Sequence, residues 1–62
     1  MYRSPNPEDV TVGTVYRVWL EPGMALTMRV TIADPERNIF TGTDTYTGQV
    51  FTACAEDLEA VA

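Results

Sequence analysis

An all-β fold of four to five short antiparallel strands, ending in a short helical turn, is predicted by three features of this 62-residue sequence. Met24 to Ile32 reads Met-Ala-Leu-Thr-Met-Arg-Val-Thr-Ile, with every even position large and apolar. A side-chain period of two is that of a strand with one buried face. Val10, Val12, Tyr16, Val18 and Leu20 alternate in the same way. Turn formers then separate the alternating runs, at Glu21-Pro22-Gly23, at Asp34-Pro35-Glu36-Arg37-Asn38 and at Gly48.

Residues 1–9 precede the first run and read as an extended N-terminal arm, because Pro5 and Pro7 disfavour helix in the residues before them. The arm is either a frayed end or a strap anchored on a neighbour by Tyr2. Residues 10–62 form a single small β domain. In its first strand Val10, Val12, Tyr16, Val18 and Leu20 face the core, with Gly13, Val15, Arg17 and Trp19 opposite. In the second, Met24, Leu26, Met28, Val30 and Ile32 face the core, with Ala25, Thr27, Arg29 and Thr31 opposite. Matching these faces pairs Leu20 with Met24, Val18 with Leu26 and Tyr16 with Met28, because paired residues point to the same side of a sheet. Pro22-Gly23 prefers the centre of a type II turn, which instead pairs Glu21 with Met24. The two signals differ by one residue. Matched faces outweigh the turn, so a bulge or irregular turn is expected near Gly23.

Asp34 to Asn38 supplies the next turn, with Asn38 suited to the left-handed region. Ile39 and Phe40 open a third strand, where Thr41, Thr43, Thr45 and Thr47 alternate with Gly42, Asp44, Tyr46 and Gly48. This reads as a hydroxyl-bearing solvated face built from residues of high strand preference. Gly48 closes the turn into a fourth strand, Gln49 to Ala53, from which Val50 or Phe51 returns to the core. From Ala53 the alternation stops and helix formers take over. Either a terminal helix packs Cys54, Leu58 and Val61 inward, or one helical turn at Ala55 to Leu58 leads to a brief closing strand ending at Val61.

This last arrangement, a meander followed by a one-turn helix and Leu58-x-x-Val61, resembles the SH3-like small β-barrel. The resemblance is architectural, with local likeness confined to about ten C-terminal residues. It implies binding of peptides, protein surfaces or nucleic acid through loop-lined grooves. The acidic-aromatic loop of peptide-binding SH3 domains has no counterpart, since the Pro22-Gly23 hairpin is too tight to hold it. No site residue is carried over, and fold likeness alone does not transfer function.

Composition narrows the function. A chain this short buries only about 60% of its unfolded surface, which makes a homo-oligomer plausible. Nine acidic residues face four arginines, with no lysine or histidine. Residues 34–62 carry the whole imbalance, so a phosphate-tracking surface, and hence nucleic acid as partner, is disfavoured. Arginine without lysine fits a GC-rich coding context, a bacterium or one of its viruses. Without histidine or lysine no Ser-His-Asp or Cys-His arrangement can be built, and no catalytic residue, cofactor or metal site is expected. Cys54 cannot form an intramolecular disulfide and reads as a small buried hydrophobe. Asp34 with Glu36, and Glu56 with Asp57 and Glu59, miss calcium-loop spacing and read as solvated charge. Residues 1–20 hold no apolar signal core or membrane span, so a cytoplasmic location is expected, host cytoplasm if the source is viral.

Trp19 is the sharpest binding clue. It lies opposite the core face beside Arg17 and Val15, with Ala25 across the strand pair. Exposed, these residues form an apolar and cationic patch of the types enriched at interface hot spots. Covered by the arm or the C-terminal segment, Trp19 belongs instead to a second packed face. The leading expectation is a noncatalytic protein-interaction module, such as a small viral accessory protein that binds a host or assembly protein. The alternative is an acidic nucleic-acid mimic that presents Asp44, Glu56, Asp57 and Glu59 to a DNA-binding protein. A third, weaker reading is single-strand nucleic-acid binding by stacking on Trp19, Tyr16 and Tyr46, with Arg3, Arg17 and Arg29 converging.

Overall fold

The alternating runs form strands in the computed structural model, which describes residues 4–61. The strands are β1 (Val15–Glu21), β2 (Met24–Asp34), β3 (Ile39–Asp44), β4 (Val50–Ala53) and β5 (Leu58–Ala60). All pairings are antiparallel, in one open sheet of order β4-β3-β2-β1-β5. Four strands run as a meander. A 3-10 turn at Ala55–Asp57 then carries the chain back across the sheet, so that β5 lies against β1. Of the two expected C-terminal arrangements, this is the single turn with a closing strand.

Both signals in the first hairpin are satisfied, at different places. Tyr16 pairs with Met28 and Val18 with Leu26, as the matched faces require, yet Glu21 pairs with Met24, as the Pro22-Gly23 turn requires. A bulge between Trp19 and Glu21 absorbs the one-residue difference. Leu20, expected opposite Met24, is the extra residue and is 55% exposed. Gly23 takes the left-handed conformation of the turn, φ 84°.

A second bulge, between Val30 and Ile32, corrects the reading of β2. Beyond it Ala33 pairs with the buried Phe40 and Ile32 turns outward, 62% exposed. Only Met28 and Val30 of the five even residues are buried. Met24 and Leu26 run past the core toward the hairpin end, and both are exposed. The core therefore comprises Tyr16 and Val18 of β1, Met28 and Val30 of β2, Phe40 of β3 and Leu58 of β5, with Val10 and Ala55 closing its ends. Phe51, not Val50, is the β4 residue that packs on it.

Two close contacts hold this small core together. Gly42 faces inward on β3, where an added Cβ would collide with Cγ of Met28 and the backbone oxygen of Arg29. Met28, fully buried, lies over the bare glycine backbone. Asn38 adopts φ 57° in the β2–β3 turn. Its Oδ1 accepts the backbone N–H of Ala55 at 2.9 Å and its Nδ2 donates to Glu56 Oε1 at 2.6 Å. One side chain thus clasps the 3-10 turn that delivers β5.

Other expectations change at the ends of elements. The threonine alternation is strand only through Thr43, because Asp44 opens a turn. Its carboxylate accepts the N–H groups of Tyr46 (2.7 Å) and Thr47 (3.2 Å). Cys54 is exposed rather than buried, because Ala55 and Leu58 take the inward positions around the 3-10 turn. In the N-terminal segment Pro7–Asp9 forms a 3-10 turn, not extended chain. Pro7 stands at a first helical position, where its missing N–H costs nothing. Ser4 Oγ donates to the Glu56 backbone oxygen at 2.8 Å, which ties this segment to the domain. Tyr2 and its proposed anchoring role lie outside the described residues.

Candidate functional site

Pairing of β5 with β1 determines the chemistry of the outer face. Because Val18 lies opposite Leu58 on the core side, Arg17 must lie opposite Glu59 on the outer side. Arg17 Nη1 donates to Glu59 Oε1 at 2.7 Å. Trp19, one step further along the same face, donates its indole N–H to the same oxygen at 3.2 Å. Its cross-strand neighbour is Ala25, as the matched faces predict. The ring is half-buried, with a fixed orientation and a satisfied polar handle.

The Arg17 hydrogen bond, then that from Trp19, holds the Glu59 carboxyl below its ordinary value of 4.5. A carboxylate held low in the folded chain contributes its stabilisation above the ordinary glutamate range. That contribution fades as pH falls through the folded value, below 4.5. We expect Trp19 emission to titrate with a midpoint under 4.5 and Arg17→Gln to raise that midpoint. A fluorescence pH titration of both chains checks this, and an unmoved midpoint would show that Arg17 does not govern Glu59.

Beside this cluster, the end of the β1–β2 hairpin and the Ala55–Asp57 turn enclose an open concavity of about 420 Å³. It is lined by Trp19, Leu20, Glu21, Pro22 and Asp57. Leu20, Met24 and Leu26 are all exposed at the same end of the hairpin. The apolar end is a product of the first bulge, which turns Leu20 outward, and of β2 outrunning the core. Val15, named with Trp19 and Arg17 from the sequence, lies two residues from Arg17 on the same face, half-buried opposite Arg29.

The expected cationic character of this patch is not present at Arg17, whose charge is matched by Glu59. Arg29 Nη1 donates to the Gly13 backbone oxygen at 3.0 Å. The four carboxylates of the acidic-face set have different surroundings. Asp44 is buried at 7% exposure within its turn, Glu59 is held by Arg17 and Trp19, and Glu56 accepts from Asn38. Asp57 borders the concavity. Of the stacking set, Tyr16 is in the core, Tyr46 is 89% exposed on the β3–β4 turn, and Arg3 lies outside the described residues. Tyr16 therefore offers no ring face to a nucleic-acid base.

Among the described residues no group of three or more histidine, cysteine, aspartate or glutamate side chains is placed to hold a metal ion. No helix there is long and apolar enough to cross a membrane, which says nothing of strands. Compared with family models, curated proteins and solved structures, the chain matches none.

Sequence reasoning found Trp19 and its face but missed the exposed apolar hairpin end and the bonds of Glu59 to Arg17 and Trp19. The signal for Glu59 was available once a closing strand was assumed. Once that strand is placed beside β1, pairing Leu58 inward against Val18 places Glu59 against Arg17.

Proposed function

We propose that this chain is a noncatalytic protein-interaction module whose contact surface is the Trp19 end of the β1–β2 hairpin. The observation that carries the reading is the half-buried Trp19 ring, held in place by Glu59, at the edge of an open concavity that exposed Leu20 also lines. A large ring fixed before binding loses little conformational freedom on contact, and tryptophan is prominent among interface hot spots. Exposed Leu20 lines the same concavity, and a large apolar side chain left in solvent beside the ring marks a surface that benefits from cover. The 3-10 turn before a short last strand paired with β1 supports the SH3-like resemblance, and with it binding at a loop-lined concavity. A viral accessory role fits a module of this size and composition.

The decisive variant is Leu20→Asp, which charges the exposed lining of the concavity without removing a core group. Proteins retained by the native chain from a candidate host extract should be lost with the variant, at unchanged circular dichroism. Acrylamide, a neutral quencher unaffected by Glu21, Asp57 and Glu59, should reach Trp19 in the native chain and be excluded when a captured protein is added back. Equal retention by both chains, or a Trp19 that is unquenchable in the free monomer, would remove this surface from consideration.

A further inference from the structure

We propose that β4 is a self-complementary edge through which two copies of this chain join into one continuous sheet. Four observations lead there, none involving Trp19. Open sheets end in edges whose free N–H and C=O groups can accept another strand, and natural edges are blunted by charge, proline, bulges or shortness. The β5 edge is blunted in two of these ways: it is three residues long and carries the ion-paired Glu59. The β4 edge has none of the chemical protections. Its sequence is Val-Phe-Thr-Ala, its register with β3 is regular, and Val50 is 65% exposed.

The backbone groups of this edge can be assigned. Asp44 N–H donates to the Gln49 oxygen at 2.8 Å and its oxygen accepts from Gly48 at 2.8 Å, so Asp44 turns its backbone groups toward the β4 side. Antiparallel ladders alternate, so Phe51 also bonds inward to β3 while Val50 and Thr52 direct their N–H and C=O groups away from it. Among the described residues no backbone hydrogen bond outside the ladder engages either one.

Charge selects a second copy as the occupant. The chain is 21% charged, yet Ile39 to Ala55 holds a single charged residue, Asp44, and that carboxylate is buried. Two molecules of net charge −5 repel over most approaches, and the β3–β4 edge is where neutral surface meets neutral surface. An antiparallel two-fold pairing centred on Phe51 sets Val50 of each copy opposite Thr52 of the other. Every outward N–H and C=O of those residues is then satisfied, and the two half-buried Phe51 rings become cross-strand neighbours on the inner face. The pairing closes at two copies and leaves only the blunted β5 edges.

Light scattering from micromolar to millimolar concentration should show the chain mass doubling and then levelling off. In the dimer the Val50 and Thr52 amides should exchange with solvent at least about tenfold more slowly than at dilution, a difference that follows from new hydrogen bonding. Val50→Lys with Thr52→Lys sets like charges opposite one another and should remain monomeric and folded where the native chain is dimeric. A native chain monomeric at millimolar concentration would overturn the proposal. So would a lysine variant that still doubles, or a dimer whose Val50 and Thr52 amides exchange as fast as in the monomer. The exchange measurement uses the native chain alone, so it decides the matter even where the lysine variant does not fold.

Discussion

Asn38→Ala is expected to destabilise the domain by about 3 kcal/mol, from two separable losses. The Ala55 N–H, which belongs to a buried residue, loses its acceptor, and an unsatisfied buried donor costs roughly 1–3 kcal/mol. Alanine must also hold φ 57°, which costs about 1–2 kcal/mol for a residue with a Cβ. Asn38→Gly keeps the backbone conformation and loses only the side-chain bonds. Comparing the two variants by urea unfolding therefore separates clasp from conformation. The glycine variant should fall between native and alanine in midpoint, with no change of slope. A glycine variant as stable as the native chain would show that the clasp on Ala55 and Glu56 contributes nothing, leaving Asn38 as a turn residue only.

Gly42→Val is expected to prevent folding and Gly42→Ala to cost about 1–3 kcal/mol, the range of overpacked core sites. A domain of this length has roughly 3–9 kcal/mol of total stability, so the larger side chain exceeds what the fold can absorb. The collision is with two atoms of different kinds. Met28 can rearrange its flexible chain, whereas the Arg29 oxygen belongs to the β2–β3 ladder and cannot move without opening it. Met28→Ala introduced together with Gly42→Ala should thus recover little. Near-complete recovery of the unfolding midpoint in the double variant would assign the role of Gly42 to methionine packing alone.

The strands were legible because their apolar residues alternate, and the inner positions of β1, Tyr16 and Val18, follow directly from that period. Bulges were legible only in part. A conflict between the Pro22-Gly23 turn and the matched faces announced the first bulge, and the structure locates it at Leu20. Nothing local announced the second, because Thr31 and Ile32 continue an unbroken alternation and only the pairing of Ala33 with Phe40 reverses it. The site divides along the same line. Trp19 and Arg17 sharing a face is a property of one strand. Glu59 joining them depends on which strand neighbours β1, a fact of topology that a local pattern does not contain. Asp44 illustrates the opposite failure: composition counted it as surface charge, while two turn amides hold it inside.

The return of β5 to β1 also sets an order of events in time. Three hairpins join neighbouring segments, whereas Trp19 and Glu59 are 40 positions apart and Ser4 and Glu56 are 52 apart. Closing such long loops is entropically costly until the meander has already brought the ends together, so β5 is expected to dock last in folding. As an edge strand only three residues long, it is also expected to open before the longer strands in the native state, which amide exchange would show. Each such excursion carries Glu59 away from Trp19, so the lifetime of the last strand governs how long the indole keeps its orientation.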